Sequence, residues 1–347
     1  MSSAKKPNVS VIIVPLFLIT LVFFGFLYHV YLNDAAVPIL PYYELTQDNC
    51  TPYSLCKENI GIPQRSGPVL EAKARRLPRA LIIGFNKCGS AAWRSFLSIH
   101  PDIVSPTLEL RFFTENHKLG LEWYRSQMPL STSNQITIEK TPRYIRSVES
   151  LRRIYEFNPD VKLLVIVRNP VSRLQSEYAH EMAKLPETSN ISFTDWIYRN
   201  PFEGFVTYWS DYASTIRRAF SVFPHHQFLV VSEEDLEKDP VSVVKQAEMF
   251  LKLRPAVTND VFVFNETKGF YCFNTSHPFF PSVLENHEVD VMSGCMIETK
   301  GRDHPSLDAN LLHRIVNTSL PYVRDLFRLI HKQFDWKYYN KYIQEAC

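Results

Sequence analysis

Ala80-Leu-Ile-Ile-Gly-Phe-Asn-Lys-Cys-Gly-Ser-Ala-Ala-Trp-Arg-Ser-Phe-Leu97 changes its period in the middle. Through Phe85 it is apolar on both faces, as a strand inside a parallel sheet must be; from Ala91 its apolar residues recur at helical spacing. The tight loop between carries Gly84, Lys87 and Gly89. A strand–loop–helix unit of this kind aims the unsatisfied N–H groups of the helix start at the loop, which makes an anion cradle. Lys87 precedes Gly89, so the order G-x-x-x-x-G-K-[ST] of nucleotide triphosphatases is absent. The expectation is that Gly84 and Gly89 let the backbone approach a ligand and that Ser90 caps the helix. Lys87, Cys88, Gly89, Ser90 and Ala91 then line an anion site.

A second unit of the same design runs from Val161 to His180 (VKLLVIVRNPVSRLQSEYAH). Its buried strand delivers Arg168 to the C-terminal edge of the sheet, where open α/β folds bind ligands. Pro170 suits the first turn of the following helix, and Ser176 lies two turns into it. Arg168 offers a guanidinium fork to a phosphate and Ser176 a hydroxyl. Further strands are expected at 80–85, 136–138 and 227–231, and helices at 91–99, 148–157, 171–184, 211–222, 241–251 and 311–333. Ser232 with Glu234 and Asp235 reads as a capped turn or helix start. Apolar strands alternating with helices predict an α/β domain with a parallel sheet covered on both faces.

Working toward the N-terminus, the run at 9–32 contains no Asp, Glu, Lys or Arg. At about 1.5 Å per residue it is long enough for a hydrocarbon core of roughly 30 Å, and it is too long for a signal-peptide h-region. Lys5 and Lys6 precede it, so the positive-inside rule predicts a cytosolic tail at 1–8, a transmembrane signal-anchor at 9–32 and a lumenal remainder. Residues 33–77, broken by five prolines, read as a stem, and 78–347 as the catalytic domain. Lumenal placement agrees with N-glycosylation sequons at Asn49, Asn190, Asn265, Asn274 and Asn317. It also permits disulfides, with Cys272 and Cys295 the best candidate pair and Cys50 with Cys56 able to close a small stem loop. The 347 residues carry 38 Lys+Arg against 36 Asp+Glu, a net charge of +2. That near-balance leaves no general basic field, and nucleic acid is not an expected partner. No His/Cys cluster with metal-ligand spacing is present in the sequence, so no metal is expected.

The two anion-binding units together resemble a sulfotransferase: the first is similar to a 5′-phosphosulfate loop, the second to a 3′-phosphate site. Gly120-Leu-Glu-Trp-Tyr-Arg-Ser-Gln-Met-Pro129, Ile138-Glu-Lys-Thr-Pro142, Gly269-Phe-Tyr-Cys272 and Lys300-Gly-Arg-Asp-His-Pro305 resemble blocks of the heparan sulfate glucosamine 3-O-sulfotransferases. The resemblance implies a P-loop-like sulfotransferase fold in a Golgi type II membrane protein. Its donor would be 3′-phosphoadenosine 5′-phosphosulfate (PAPS) and its acceptor a glycan, heparan sulfate foremost. It further implies that Lys87 stabilises the leaving 5′-phosphate, that Arg168 and Ser176 hold the 3′-phosphate, and that Lys300, Gly301, Arg302, Asp303 and His304 close over the nucleotide.

In the same resemblance Glu109 is the catalytic base and Lys140 sits near acceptor and sulfonate, with Arg143 close by in the acceptor region. The chemistry is consistent with those roles, because a sugar hydroxyl needs a carboxylate to take its proton and the leaving phosphate needs fixed positive charge. Departures cluster in two places. Where the family has Arg/Lys-Lys-Gly-Gly-Thr-Arg, this chain reads Asn86-Lys-Cys-Gly-Ser-Ala91; where it has His-Phe-Phe-Asp, this chain reads Arg111-Phe-Phe-Thr114. If the segment is extended, Arg111 lies on the same side as Glu109 and either pairs with it or binds an anionic acceptor. The Phe112-Phe113 pair is expected to pack in the core. Two alternatives remain: sulfation of another glycan or position, and a catalytically weak glycan-binding relative.

Overall fold

The computed structural model describes residues 72–186, 191–284, 289–297 and 304–344. The expected tail, anchor and most of the stem lie outside them, as do Asn49, Asn190, Cys50, Cys56 and the stretch from Lys300 to Asp303. No helix among the described residues is long and apolar enough to cross a membrane.

Among the described residues nine strands are present: β1 Ala74–Arg75, β2 Ala80–Gly84, β3 Ile103–Val104, β4 Leu130–Ser131, β5 Ile136–Lys140, β6 Lys162–Val167, β7 Phe228–Ser232, β8 Phe262–Asn265 and β9 Phe270–Phe273. Five of them form a wholly parallel sheet in the order β3-β5-β2-β6-β7. β2 and β5 are buried at every position, and β6 at every position after Lys162. A strand flanked on both sides by partners and on both faces by helices has no polar face, which is why these stretches read as unbroken apolar runs. Ala80 stands beside Ile138 of β5 on one side and Lys162 of β6 on the other. The chain therefore departs from β2 in both directions, and the loop after β2 sits at the switch point of the sheet, where a crevice opens at the strand ends.

Short local signals start the covering helices. Ser147 accepts from Ser150 N at the head of the Val148–Phe157 helix, and Asp211 accepts from Ser214 N ahead of Tyr212–Phe220. Asn169 and Asp239 cap the helices Pro170–Met182 and Pro240–Leu251, each with proline in the first turn, where its missing N–H costs nothing. Asp308 caps the Ala309–Ile330 helix, which packs on Phe202–Ser210 and Tyr212–Phe220.

Several elements lie beyond the sequence expectation. The helices Gly120–Ser126, Phe193–Tyr198 and Phe202–Ser210 and the β8–β9 hairpin were not foreseen. Ala74–Arg75, within the expected stem, pairs antiparallel with Leu130–Ser131, and the guanidinium groups of Arg75 and Arg76 donate to the carbonyls of Met128 and Ser131. Cys272 and Cys295 are joined by a disulfide, their Cα atoms 4.4 Å apart.

Candidate active site

Phe85 N donates to Ile166 O (2.8 Å), which ties the start of the loop to the neighbouring strand. The loop then turns through two left-handed residues, Lys87 (φ 65°) and Gly89 (φ 79°). Gly89 is the N-cap of the Ser90–Leu97 helix, and no side chain caps that helix. Ser90 is its first residue and is buried, so the expected Ser90 cap is not formed. The first N–H groups of the helix therefore have no side-chain acceptor, and a helix start of this kind is able to bind an anion.

The two glycines have different reasons. A Cβ on Gly84 would lie 2.5 Å from Ile145 Cγ2, so this glycine permits close packing of the strand end and not ligand approach. A Cβ on Gly89 would lie 2.7 Å from Glu233 Cγ, and Gly89 also needs its positive φ. Cys88 is fully buried, its thiol 3.6 Å from Tyr212 Oη, so its backbone alone can serve a ligand; burial pushes the thiol up from its ordinary range.

Beneath the loop lies Arg173, a fully buried cation. Its Nε donates to Asn86 O (3.1 Å), its Nη2 to Asn86 Oδ1 (3.3 Å) and its Nη1 to Trp209 O (2.7 Å). The guanidinium lies against the rings of Phe85, Trp209 and Tyr212 at 4.8–5.3 Å. Carbonyls and aromatic faces hold this charge, so it adds to the positive field of the loop while fixing Asn86. One turn on, Glu177 faces Lys87: burial raises its carboxyl and Lys87 opposes the rise. Ser176, half-buried, lies three residues from Arg173 on the same helix. Gln175 Nε2 donates to Pro305 O (2.7 Å), which brings the segment beginning at exposed His304 against this helix.

Arg168 emerges at the end of β6. Its Nη1 reaches Lys87 O at 3.5 Å, and its Nε stands 3.0 Å from Glu233 Oε2. Both side chains are nearly buried (12% and 11% exposed), yet the N–H does not point at the oxygen, and neither of those atoms has a hydrogen bond. Tyr212 Oη donates to Arg168 O (2.7 Å) from behind. Glu233 opens the short helix Glu233–Lys238, which Ser232 caps as the sequence predicts. Next to it Glu234 accepts from Asn169 N (2.9 Å) and from Trp336 Nε1 (2.8 Å), and Trp336 also donates to Ser232 Oγ (3.1 Å).

The third group forms at the end of β5. Lys140, nearly buried, donates to Glu109 Oε1 at 2.5 Å, and Glu109 keeps about a third of its side chain exposed (34%). Glu139, wholly buried, holds the segment that carries Glu109. It accepts from Thr141 Oγ1 (2.6 Å), Leu110 N (3.4 Å) and Tyr124 Oη (3.4 Å). Burial raises its carboxyl to about 7, against the hydrogen bonds from Thr141 and Leu110. Thr141 Oγ1 in turn accepts from Arg111 N (3.2 Å).

Arg111 corrects the expectation of an extended segment. Its backbone is left-handed (φ 48°, ψ 30°) and turns into the short wide helix Phe112–Asn116. The guanidinium does not pair with Glu109; it pairs with Glu115 at 3.2 Å on the surface, half exposed. Phe112 and Phe113 are buried, Phe112 stacked on Tyr124 at 4.2 Å, so the core role predicted for the pair is what the structure has. Arg143 is exposed just beyond Thr141 and Pro142.

The structure thus gathers Lys87, Cys88, Gly89, Ser90, Ala91 and Arg168 around one loop, with Glu109 and Lys140 paired at the end of the adjoining strand β5. Of the residues that sequence reading passed over, Arg173, Glu233, Glu139 and Tyr212 are the most involved. Among the described sequons, Asn317 is exposed beside His313 Nε2 (2.9 Å), while Asn274 Nδ2 donates to Asp260 O (2.8 Å) and Asn265 Nδ2 contacts Cys295 Sγ at 3.6 Å. Among the described residues no group of three or more His, Cys, Asp and Glu side chains could hold a metal ion.

Comparison with known proteins bears on this arrangement. The sulfotransferase domain family matches residues 77–318. Human heparan sulfate glucosamine 3-O-sulfotransferase 6 is 37% identical over 281 residues, covering 80% of this chain and 77% of that protein. Mouse heparan sulfate glucosamine 3-O-sulfotransferase 3A1 is 35% identical over 274 residues, covering 77% and 66%. Among solved structures, a sulfotransferase from Alicyclobacillus acidocaldarius superposes with a TM-score of 0.54 at 22% identity, covering 75% of this chain and 98% of that one, a likeness of fold.

Proposed function

We propose, from the premise that this chain belongs to the heparan sulfate glucosamine 3-O-sulfotransferase family, that it transfers a sulfonate from PAPS to the 3-OH of glucosamine in heparan sulfate. The observation that carries the reading is the placement of a carboxylate–ammonium pair, Glu109 with Lys140, at the strand end next to an uncapped helix N-terminus. One group can take a proton; the other, with the loop, can stabilise an anion.

The residues present suit such a donor. The helix start is uncapped, and Arg168 has a buried Nε without a hydrogen bond. When bound, PAPS supplies an activated sulfonate on a phosphate leaving group. Lys87 and the N–H groups at 89–91 would hold the 5′-phosphate and offset its growing charge. Arg168 and Ser176 would grip the 3′-phosphate. Glu109 would take the proton of the acceptor hydroxyl, with Lys140 orienting the carboxylate and facing the sulfonate oxygens. Lys300 to His304 would close over the nucleotide, and Arg111 and Arg143, both exposed, would meet the anionic acceptor. On the same reading residues 9–32 anchor the protein in the Golgi membrane with the catalytic domain in the lumen.

The test is incubation of the purified protein with labelled PAPS and heparan oligosaccharides of defined pattern, followed by mass-spectrometric location of the new sulfate. A 3-O-sulfated glucosamine is expected. Transfer confined to another position or another glycan would overturn the acceptor assignment, and no transfer to any glycan would overturn the activity.

A further inference from the structure

Glu233 is a carboxylate in an unusual place. It lies under the loop, its Cγ against the position that a Gly89 side chain would fill, and its Oε2 is 3.0 Å from Arg168 Nε. The ion pair is made by proximity alone, since neither atom has an aligned hydrogen bond. A saturated, bidentate pair would be difficult to exchange; this one leaves donor capacity on the guanidinium. The surroundings do not favour the charge on Glu233. Burial pushes its carboxyl well above the ordinary range, Arg168 opposes that, and Glu237 and Glu234 on the same helix add repulsion. From the loop, Cys88 faces it with a thiol that burial keeps protonated, backed by Tyr212 and Arg173. Arg168 is thus the cation that favours the charged form of Glu233 against that burial.

We propose that Glu233 is a positioning residue of the donor site, one that holds Arg168 in place while no donor is bound and takes up a proton when a phosphate claims the guanidinium. The inference rests on Arg168 as the 3′-phosphate ligand. A phosphate dianion arriving at Arg168 removes the counter-cation of Glu233 and sets a second anion near it. Two buried anions sharing one guanidinium is the costly outcome, and one proton from solvent onto the Glu233 carboxylate avoids it. The proton remains on the protein until the nucleotide leaves, when the pair with Arg168 reforms and the proton returns to solvent. Donor affinity is then linked to pH. Where Glu233 is charged in the free protein, binding weakens about tenfold for each unit of rising pH.

The experiment is calorimetric binding of adenosine 3′,5′-bisphosphate to the purified protein from pH 6 to 9, in pairs of buffers with different ionisation enthalpies. The phosphates of the ligand titrate near pH 6, so uptake measured from pH 7.5 upward belongs to the protein. We expect uptake approaching one proton per nucleotide in the wild type and none above that pH in Glu233→Gln, whose affinity should also lose its steep dependence on pH. The wild-type measurement needs no variant, so a poorly folding Glu233→Gln would not leave the question open. No proton uptake at any pH above 7.5, or the same uptake in Glu233→Gln, would overturn the proposal. Arg168→Ala separates the two layers. If it binds the nucleotide as tightly as wild type, the 3′-phosphate assignment itself fails; if it binds at least tenfold more weakly while Glu233→Gln changes nothing, the assignment stands and the role of Glu233 falls.

Discussion

Lys140 Nζ stands 2.5 Å from Glu109 Oε1, a contact between the last residue of a sheet strand and a loop thirty-one positions earlier in the chain. Lys140 is nearly buried and Glu109 is open to solvent on one side, so the pair presents its carboxylate outward from a fixed base. Glu139, next to Lys140, holds the same loop one residue on, through Leu110 N. The two charges are therefore set by one strand, and their separation does not depend on a mobile hinge.

Glu109→Gln is expected to lower kcat by at least about 100-fold, the usual scale for loss of a general base. The affinity for adenosine 3′,5′-bisphosphate should stay within about twofold, because the role proposed for Glu109 is toward the acceptor. Parallel kinetics and calorimetry check it, and a kcat near wild type would remove Glu109 from the mechanism.

Arg111→Ala should leave stability within about 0.5 kcal/mol, since its pair with Glu115 is half exposed and screened. The acceptor KM should rise severalfold if this exposed guanidinium meets an anionic glycan. Urea unfolding and acceptor titration give the two numbers. An unchanged KM would confine Arg111 to shaping the turn before Phe112.

Gly89→Ala is expected to destabilise the protein by about 1–3 kcal/mol, from a side chain at positive φ and a clash with Glu233. Nucleotide affinity should fall further than for Ser90→Ala, because Ser90 is buried without capping the helix. Equal losses in the two variants would show that the loop tolerates a displaced Glu233.

Glu139→Gln tests a buried carboxyl by pH. The folded protein holds this proton up to about pH 7, whereas an unfolded chain releases it near 4.5. Between those values the folded state binds more protons, so this group makes stability fall as pH rises, by at most about 3 kcal/mol, and the loss is complete above pH 7. The glutamine variant should lack that fall, since its amide keeps an acceptor for Leu110 N and offers donors toward Tyr124. Urea unfolding of both proteins from pH 4.5 to 8 reads the difference, and parallel curves would contradict it.

The strands that cross the middle of the sheet were legible because burial on both faces leaves no choice of residue type; Leu163 to Val167 could hardly be anything else. Helices with apolar residues at helical spacing, such as 148–157, or with a proline suited to the first turn, such as Pro170, were legible for a similar reason. What failed was whatever depended on distant chain. Gly84 has the composition of a ligand-facing glycine, and its packing against Ile145 exists only because β2 lies beside β5 and the turn after it. The capping chemistry of Ser232 and Glu234 is readable over three residues, while Glu233 between them becomes part of the site only because β7 pairs with β6 and ends level with Arg168. Arg173 reads as one more helical arginine until the ring faces of Trp209 and Tyr212 close around it. The left-handed turn at Arg111 had no signal at all, since neither glycine nor asparagine marks it.

The indole of Trp336 has a consequence for how the protein is made. A ribosome releases the chain from its N-terminus, so the cradle strand, its loop and the following helix leave the exit tunnel well before Trp336. The carboxylate of Glu234, which holds Asn169 next to Arg168 in the chain, lacks its indole donor until residue 336 has emerged. A chain interrupted after the long helix Ala309–Ile330 would carry every residue of the loop and leave Glu234 with Ser232 Oγ and Asn169 N as donors but without the indole. The support behind the loop is therefore completed later in synthesis than the loop itself.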